Sequence, residues 1–357
     1  MPELPEVEKA RSLCQEHCVG KTVVECRTRE GGDGARAGQF DDKVLVPGSE
    51  DAWDAAALVG RTLAAARRIG KRTIWDFGPA PTASNTTRSI VLGFGMTGAL
   101  TVKGVAAQEF KEFKVHDTSW PPKWTKLELI FDDGTRLAYS DSRRFGKIQL
   151  LGEGVDPRTV PPLSRLAPDP LNDVPDPAAF AARLRSKTAV VKSALLDQNF
   201  ALCGLGNWLV DDVLFAARIH PSTRCDMLSD AACSAILQSA ARICRKAVSV
   251  SADSERFPKG WLFHQRWGVK KRGGKNADGA PLRTVKGGHP IKVGDVAGRT
   301  TLWVPAVQKK GTRKTSGGGM PGKKTVTAKT GGRKRKAAAK SKKAPAATSK
   351  LKKKRRR

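Results

Sequence analysis

The 357-residue chain carries 65 Lys and Arg against 34 Asp and Glu, a formal net charge of +31, and 39% of its residues are hydrophobic. It is long enough for two domains with separate cores. Residues 309–357 contain 21 Lys or Arg and no acidic residue, while the rest of the chain holds 44 basic against 34 acidic residues. A basic body with a polycationic tail favours a polyanionic partner, above all nucleic acid, although a tail that only aids solubility has the same composition.

The chain lacks the sequence features of membrane and secreted proteins. No run of about 18 apolar residues is present, so we expect no membrane span and no membrane partner. The first residues are too acidic and too polar for a signal or transit peptide. The seven cysteines include no Cys-x-x-Cys pair, and Cys14 and Cys18 have no second pair with which to form a zinc site. We expect these cysteines to be reduced and buried.

The first half of the chain predicts one helix and several short strands. Residues 5–18 predict the helix, because Pro5 suits a first turn, Glu6 and Glu8 suit the positive end of the dipole, and Gly20 follows. Strands are predicted from short apolar or alternating runs at residues 73–77, 90–92, 127–131 and 136–139. Loops are predicted for residues 31–56 and 79–88, which are rich in Gly, Asp, Pro, Ser and Thr.

The second half predicts helices followed by short β-prone runs. Residues 178–196 predict one long helix or two, and residues 231–250 predict a further amphipathic helix. Between them, Asn207 is predicted to cap a helix that ends near His220. Residues 258–308 contain Gly turns without a helical period, and the Lys, Ala and Gly text beyond residue 308 predicts disorder.

The amino terminus, MPELPE, carries the first candidate for chemistry. Removal of Met1 leaves the secondary amine of Pro2, and because an α-amine has a pKa of about 7.7–8, a useful fraction is neutral at physiological pH. Such an amine attacks a sugar C1′ to give a Schiff base, and the neighbouring Glu3 and Glu6 are candidates to carry protons. An ordinary helix start with acidic residues has the same sequence.

Two later segments suit contact with DNA. In SDSRRFG, residues 140–146, an arginine beside an aromatic ring suits entry into a base stack, although an ion-paired Arg with a core Phe is the alternative. In GLGN, residues 204–207, backbone N–H groups, the helix dipole and the Asn amide predict a site for a DNA phosphate. A simple turn between helices is the alternative for this second segment.

Taken in order, these motifs resemble the formamidopyrimidine-DNA glycosylase (Fpg/Nei) family. The resemblance covers about residues 2–308. It rests on PELPEVE at 2–8, GKR at 70–72, GFGMTG at 93–98, SDSRRFG at 140–146, LAPDPL at 166–171, LDQ at 196–198 and the stretch 204–221. Similarity to the plant and fungal branch comes from GNW at 206–208, ARIHP at 217–221 and GRTT at 298–301.

The resemblance implies a fold and an activity. The implied fold class is α+β, with an N-terminal helix and two-layer β-sandwich, a helix–two-turn–helix domain, a zincless-finger hairpin and a disordered basic tail. The implied boundaries are residues 2–156, 157–257, 258–308 and 309–357. The implied activity is that of a bifunctional DNA glycosylase and AP lyase of base excision repair, which acts as a monomer on damaged double-stranded DNA.

The resemblance also implies roles for individual residues. Pro2 is the expected nucleophile and Glu3 the general acid/base, while Lys71 is expected to hold the phosphate near the lesion. Glu6 and Arg299 complete the expected catalytic set, and Arg299 is also expected to reach phosphates across the lesion. Further DNA contacts are expected from Met96, Arg143 and Phe145, which fill the gap left by the everted nucleotide, and from Asn207, which holds a phosphate.

Three departures from the bacterial pattern modify these expectations. Val304 and Val307 stand where the last two zinc-binding cysteines would be, so we expect a hairpin held by packing, without zinc or any other cofactor. Residues 250–261 are shorter than the bacterial loop that covers 8-oxoguanine, so formamidopyrimidines, hydantoins and abasic sites are the expected substrates and 8-oxoguanine at most a weak one. Trp124 replaces a DNA-contacting histidine, and we expect Lys126 to take over its contact with DNA.

Two other functions remain open at this point. One is a catalytically silent DNA- or chromatin-binding protein, against which the intact Pro2, Glu3 and Lys71 argue. The other is an endonuclease VIII-like activity on oxidised pyrimidines. The basic runs at residues 333–336 and 352–357 predict import into the nucleus, although phosphate binding alone explains them equally well.

Overall fold

A computed structural model describes residues 2–47, 53–79, 86–106, 119–267 and 288–310, all within one compact unit, Met1–Lys314. The disordered tail was predicted to begin at residue 309, but Lys309 is ordered, since its N–H donates to the carbonyl of Arg218 at 3.3 Å and its carbonyl accepts the N–H of His220 at 3.0 Å. The rest of the predicted tail, beyond residue 310, lies outside the described residues. Among the described residues, no helix has both the length and the apolar character needed to cross a bilayer.

Helix α1, Leu4–His17, begins the chain and agrees with the helix predicted for residues 5–18. The backbone N–H of Glu3 donates to Oε2 of Glu6 at 3.1 Å, so a side chain of the first turn satisfies a backbone group ahead of the helix. Leu4 packs into the core of the helical half, whereas Val7 and Ala10 pack into the core of the β half. The helix therefore lies between the two halves and ties the amino terminus to both.

Nine strands form two sheets in the described part of the N-terminal half. The first sheet contains β1 (Val23–Arg27), β6 (Ala99–Val102), β7 (Thr125–Phe131) and β8 (Arg136–Ser140) in the order β1-β7-β8-β6. The second contains β2 (Leu45–Pro47), β3 (Leu63–Ile69), β4 (Arg72–Phe77), β5 (Arg88–Gly93) and β9 (Lys147–Leu150) in the order β2-β9-β5-β4-β3. The four predicted strands are confirmed as parts of β4, β5, β7 and β8. The three-residue β2 lies inside the segment 31–56, which was predicted as a loop. The prediction missed this strand because three residues are too few to show an alternation of apolar and polar side chains.

The two sheets pack face to face around one apolar core, so the predicted two-layer sandwich is confirmed. Trp75 and Phe77 from the second sheet meet Phe131 and Tyr139 from the first, and all four side chains are buried. The outer face of the second sheet is also covered, since Ile74 and Val91 pack against Leu151 and Leu163. Burial on both faces explains the continuous apolar run of β5.

The C-terminal half is helical, with α2 (Pro177–Arg185), α3 (Val191–Leu196), α4 (Asn207–Ala216) and α5 (Asp230–Ser249). The segment predicted as one helix or two is therefore two. The break falls where the chain turns extended, with the N–H of Val191 donating to the carbonyl of Thr223 and the N–H of Cys225 donating to the carbonyl of Ala189. The predicted helix at residues 231–250 is confirmed as α5.

The prediction that Asn207 caps a helix is wrong by one residue. The N-cap of α4 is Gly206, and Asn207 is the first residue of the helix. A side chain at position 206 would collide with the carboxylate of Glu3, so glycine is required there. Gly206 has no side chain that could accept the first N–H groups of α4. The carboxylate of Glu3 accepts them instead.

The chain described beyond residue 288 forms a hairpin of β10 (Lys292–Val296) and β11 (Arg299–Trp303). Its two-residue turn, Ala297-Gly298, has positive φ at both positions, as the right-handed twist of a tight hairpin favours. Leu302 and Val304 are buried against Leu262 and Ile291. The hairpin predicted from the resemblance is thus present and packs by apolar contacts.

A buried ion pair links the sandwich to the segment that leads into the helical half. Arg68 of β3 donates to Asp169 at 2.5 Å and to Glu8 of α1 at 2.8 Å, and both Arg68 and Asp169 are buried. Asp169 also accepts the N–H of Gly70 at 2.8 Å and the N–H of Leu171 at 2.9 Å. The pair therefore fixes the β3–β4 turn against the helical half.

Asp169→Ala is expected to lower the free energy of unfolding by about 3–5 kcal/mol, because it removes the buried partner of the Arg68 guanidinium, whose remaining carboxylate partner is Glu8, and the acceptor of the Gly70 and Leu171 N–H groups. Urea unfolding followed by circular dichroism measures the loss. Asp173→Ala, at an exposed aspartate four residues on, is the matched control and is expected to change stability by less than about 0.5 kcal/mol. Equal effects of the two substitutions would contradict the structural importance of the pair.

Candidate active site

The carboxylate of Glu3 occupies the N-terminus of α4. Oε1 accepts the N–H of Trp208 at 3.0 Å, and Oε2 accepts the N–H of Leu209 at 3.1 Å. The side chain is almost fully buried. The positive end of the helix dipole stabilises an anion here. The N–H groups of residues 208 and 209 at this helix start are therefore used by Glu3, and the phosphate site predicted at residues 204–207 stays a prediction.

The turn that brings Glu3 to α4 is held from both sides. Leu4 donates its N–H to the carbonyl of Gly204 at 3.1 Å. Gln198 accepts the N–H of Gly204 through Oε1 at 3.0 Å and donates through Nε2 to the carbonyl of Leu205 at 2.9 Å. Gly204 has a φ of +86°, a backbone conformation that favours glycine. These bonds give the LDQ and GLG motifs a structural role in placing the amino terminus.

Glu6 and Lys71 complete the cluster beside the buried Pro2 and Glu3. Burial, followed by the nearby charge of Glu3, raises the pKa of Glu6 to about 7. Burial also raises the pKa of Glu3, and the charge of Lys71 opposes that shift. For Lys71, burial lowers the pKa, while Glu3 and Glu6 oppose this effect and Arg299 adds to it. Pro2, Glu3, Glu6 and Lys71, four of the predicted catalytic residues, therefore lie together. The charge of the fifth, Arg299, contributes to lowering the pKa of Lys71.

The β3–β4 turn places Lys71 in this cluster. Gly70 precedes it with a φ of +57°, and an added Cβ there would lie 2.8 Å from Sγ of Cys203. The N–H of Gly70 is held by Asp169, as described above. A glycine is needed at this close approach, and the resulting turn directs the next residue toward the amino terminus.

Met96, Arg143 and Phe145 lie on two adjoining loops and are all exposed, with Phe145 55% exposed. Asp141 joins the loops, since it accepts the hydroxyl of Thr97 at 2.6 Å and the N–H of Gly146 at 2.7 Å. The Arg143 guanidinium lies 5.0 Å from the centre of the Phe145 ring. The alternative of a core Phe is excluded, and the three side chains share one exposed edge.

The expected contact of Lys126 with DNA is corrected by the structure. Lys126 is 1% exposed, and its ammonium pairs with Glu30 and with Asp41. Asp41 also pairs with Arg144, with two bonds of 2.7 Å. Burial alone would raise the pKa of Asp41, but Arg144 and Lys126 outweigh it and lower the pKa to about 2. Lys126 is therefore linked through Asp41 to Arg144, which lies in the loop of Arg143 and Phe145. Its buried ammonium is not available for contact with DNA.

Asn207 and Arg299 are brought together by the hairpin. Nδ2 of Asn207 donates to the carbonyl of Thr300 at 3.0 Å, next to the exposed Arg299. The amide of Asn207 is thus engaged with the protein, and its expected role as a phosphate ligand stays a prediction. Sequence reasoning missed the acceptors that organise the site, namely Asp41, Asp141, Asp169 and Asp211, because each acts on residues distant in the sequence or on backbone groups.

The residues at the expected zinc positions do not fit a metal ion. Val304 is buried among apolar side chains, and its N–H donates to Oε1 of Gln308 at 2.7 Å. Nε2 of Gln308 donates to the carbonyl of Ile219 at 2.9 Å. No cysteine follows Cys244 in the sequence. In the described ranges, no group of three or more His, Cys, Asp or Glu side chains is arranged to hold a metal ion.

Comparison with known proteins identifies the family. The model of the formamidopyrimidine-DNA glycosylase N-terminal domain matches residues 1–148, and that of its H2TH domain matches residues 166–259. The formamidopyrimidine-DNA glycosylase of Arabidopsis thaliana is 37% identical over 310 residues, which are 87% of this chain and 71% of the relative. That of Mycobacterium ulcerans is 33% identical over 261 residues, 71% of this chain and 80% of the relative.

A solved structure shares the fold. Lactococcus lactis Fpg, in a complex with DNA containing an oxidised pyrimidine, superposes with a TM-score of 0.63 at 24% identity, covering 87% of this chain and 100% of that one. The two domain matches define a DNA glycosylase built from the amino-terminal domain of this family and a helix–two-turn–helix domain. The chain belongs to the formamidopyrimidine-DNA glycosylase family. The resemblance found in the sequence is thereby confirmed.

Glu6→Gln is expected to change how stability depends on pH. Because the pKa of Glu6 is raised from 4.5 to about 7, the folded protein binds a proton that the unfolded chain releases between these values. The free energy of unfolding of the wild type should therefore fall, relative to Glu6→Gln, as the pH rises from 5 to 8. Urea midpoints at both pH values measure this difference. Glu16→Gln, at an exposed position of the same helix, is the control; a wild-type to Glu6→Gln difference that does not vary with pH would contradict the assignment.

Proposed function

We propose that this protein is a bifunctional DNA glycosylase and AP lyase of base excision repair that removes oxidised bases from double-stranded DNA. The observation that carries the proposal is the cluster of Pro2, Glu3, Glu6 and Lys71 around the amino terminus, with two carboxyl groups whose pKa values are raised by burial. A nucleophilic amine beside protonatable carboxyl groups is the arrangement that Schiff-base chemistry needs.

The proposed reaction starts at the amine of Pro2 after removal of Met1. The neutral nitrogen attacks C1′ of the damaged nucleotide, the bond from C1′ to the base breaks, and the departing base takes up the proton that the nitrogen loses. Glu3 gives a proton to the sugar ring oxygen, so that the ring opens to an iminium. The iminium acidifies C2′, which loses a proton as the 3′ phosphate leaves. A second elimination then releases the 5′ phosphate and leaves a gap.

The exposed loops give the protein a means to open the duplex. Phe145 enters the stack as a wedge, while Arg143 replaces hydrogen bonds of the lost pair and Met96 fills the space of the everted nucleotide. Lys71, whose pKa is lowered by burial, and the exposed Arg299 bind the phosphates on either side. Exposure of these loop side chains supports the proposal, because in a protein without a DNA partner they would leave apolar surface uncovered.

The segment after α5 bears on the substrate. The chain turns sharply through Ser251 and Ala252, both with positive φ, and then packs Phe257 against Trp208 with ring centres 5.6 Å apart. Trp261 also packs against Trp208 of α4, with ring centres 6.2 Å apart, so this short segment is anchored on the helical half at both aromatic side chains. This favours formamidopyrimidines, hydantoins and abasic sites as substrates, with weak activity at most on 8-oxoguanine.

The partners and the location follow from charge and motif. The partner is damaged duplex DNA, which the protein binds as a monomer through its basic surface. The hairpin holds no zinc, and the reaction uses no cofactor. The protein acts in the nucleus, to which the basic runs at residues 333–336 and 352–357 direct it; these runs lie outside the described residues.

Pro2→Gly is expected to abolish most borohydride trapping on duplexes that carry one defined lesion each, because the trapped species is the Schiff base of the Pro2 nitrogen. Glu3→Gln is the matched variant, since it keeps the amine and removes the proton donor. It is expected to lose base removal while it still cuts a preformed abasic site. Gel electrophoresis of the trapped complex and of the cleaved strand measures both effects.

The outcomes of this experiment separate the alternatives. Trapping of Pro2→Gly at the wild-type level would overturn the nucleophile assignment. Binding without cleavage of any lesion by the wild type would favour a silent DNA-binding protein. Strong cleavage only at oxidised pyrimidines would favour endonuclease VIII-like specificity.

Elemental analysis of the purified protein is expected to find no stoichiometric zinc. Val304 and Gln308 fill the region of the hairpin with an apolar side chain and a satisfied amide, which offer no zinc ligand. Treatment with EDTA should leave both DNA affinity and melting temperature unchanged. One tightly bound zinc per chain, or unfolding by the chelator, would contradict the prediction.

A further inference from the structure

A cluster of three charged side chains, the buried Lys192 and Asp211 and the partly exposed Arg266, joins the hairpin to the helical half. Nζ of Lys192 donates to Oδ1 of Asp211 at 2.6 Å, and the guanidinium of Arg266 donates to Oδ2 of Asp211 at 2.5 Å. Lys192 is 0% exposed and Asp211 is 2% exposed. We name these three residues the hairpin anchor. Fully buried charges are rare, and they require a structural or functional explanation.

The hairpin anchor binds the backbone of β11 on both sides of one residue. Oδ2 of Asp211 accepts the N–H of Leu302 at 3.0 Å. The carbonyl of Thr300 accepts from Arg266 at 3.0 Å and from Lys192 at 3.5 Å, in addition to the bond from Asn207 described above. These bonds hold the segment directly after Arg299, which itself is exposed.

The net charge of the hairpin anchor explains why it requires an acceptor from the hairpin. Two cations share one carboxylate, so the buried group carries an excess positive charge. The Thr300 carbonyl is the negative end of a dipole and accepts from both cations, and without it the ammonium of the fully buried Lys192 would lose one of its two acceptors. Docking of the hairpin therefore completes the anchor, while the anchor fixes the hairpin.

The anchor also acts on the catalytic carboxyl group. The charge of Arg266 lowers the pKa of Glu3 against the larger effect of burial, and Glu3 in turn acts on Lys192. The position of the hairpin and the charge environment of Glu3 are therefore set by the same side chains.

We propose that Lys192, Asp211 and Arg266 are positioning residues that dock the hairpin and thereby place Arg299 over the DNA next to the Glu3 and Lys71 cluster. These three side chains fix the position of the hairpin, as metal ligands do in a zinc finger. They do so through an ion cluster that donates hydrogen bonds to the backbone carbonyl of Thr300. This inference rests on the proposed function, because it assigns the purpose of the placement to a DNA contact by Arg299.

The test compares Asp211→Ala, Arg266→Met and Arg299→Ala, alone and in pairs with Arg299→Ala, in the full chain. Arg299→Ala is expected to weaken binding to an abasic-site duplex by about tenfold and to reduce the salt slope by about 1. Asp211→Ala and Arg266→Met should weaken binding by a similar factor and add nothing further in the Arg299→Ala background. Hydrogen exchange at Thr301 and Leu302 should become faster in both anchor variants, in the absence of DNA.

Asp212→Asn is the matched control. Asp212 follows Asp211 on α4 and is equally buried, but its carboxyl accepts the N–H groups of Leu262 and Phe263 and does not bind β11. Its effect on affinity should be additive with that of Arg299→Ala. Arg266→Met guards against a folding defect of Asp211→Ala, because Arg266 lies at the edge of the cluster.

Three results would overturn the inference: unchanged hydrogen exchange at Thr301 and Leu302 in the anchor variants, unchanged affinity of those variants while Arg299→Ala binds weakly, or full additivity with Arg299→Ala. Failure of the proposed function has a different signature. If Arg299→Ala binds normally, or if the wild type gives no borohydride-trapped complex, the DNA role fails, whereas faster exchange in the anchor variants still supports the docking role.

Discussion

The structure depends on one interaction, the acceptance of two backbone N–H groups of α4 by the carboxylate of Glu3. It brings the amino terminus into the helical half, 205 residues away in the sequence. The same bonds bury Glu3, and burial raises its pKa and that of Glu6. A helix N-terminus would stabilise a free anion, but here it stabilises a protein carboxylate next in sequence to Pro2, the nucleophile proposed above. Fold and chemistry therefore share one contact.

Acidic residues organise the rest of the site in the same manner. Asp141 joins the two exposed loops, Asp169 holds the turn before Lys71, and Asp211 holds the hairpin. Each accepts backbone N–H groups, so each fixes a segment of chain and not only a side chain. A protein that is strongly basic overall thus uses buried carboxylates as its internal supports.

The sequence predicted those features that depend on local patterns. Helix α1, strands β4, β5, β7 and β8, and α5 follow from periodicity and turn residues, and the cluster of Pro2, Glu3, Glu6 and Lys71 was predicted from ordered motifs. The burial of Lys126 in ion pairs was not predictable, because its partners Glu30 and Asp41 lie 85 or more positions away and no local sequence pattern identifies them. The N-cap at Gly206 was missed for the same reason, since its acceptor comes from residue 3.

The place of the amino terminus has a consequence for synthesis of the protein. Glu3 finds its partners only when residues 208 and 209 have left the ribosome, so the amino terminus of a shorter nascent chain has no site to occupy. Pro2 is buried in the folded protein, so the removal of Met1 that the proposed function requires is expected to precede this burial. In the proposed mechanism, exposure of the Pro2 amine and closure of the site are thereby ordered in time, with removal of Met1 first and burial second.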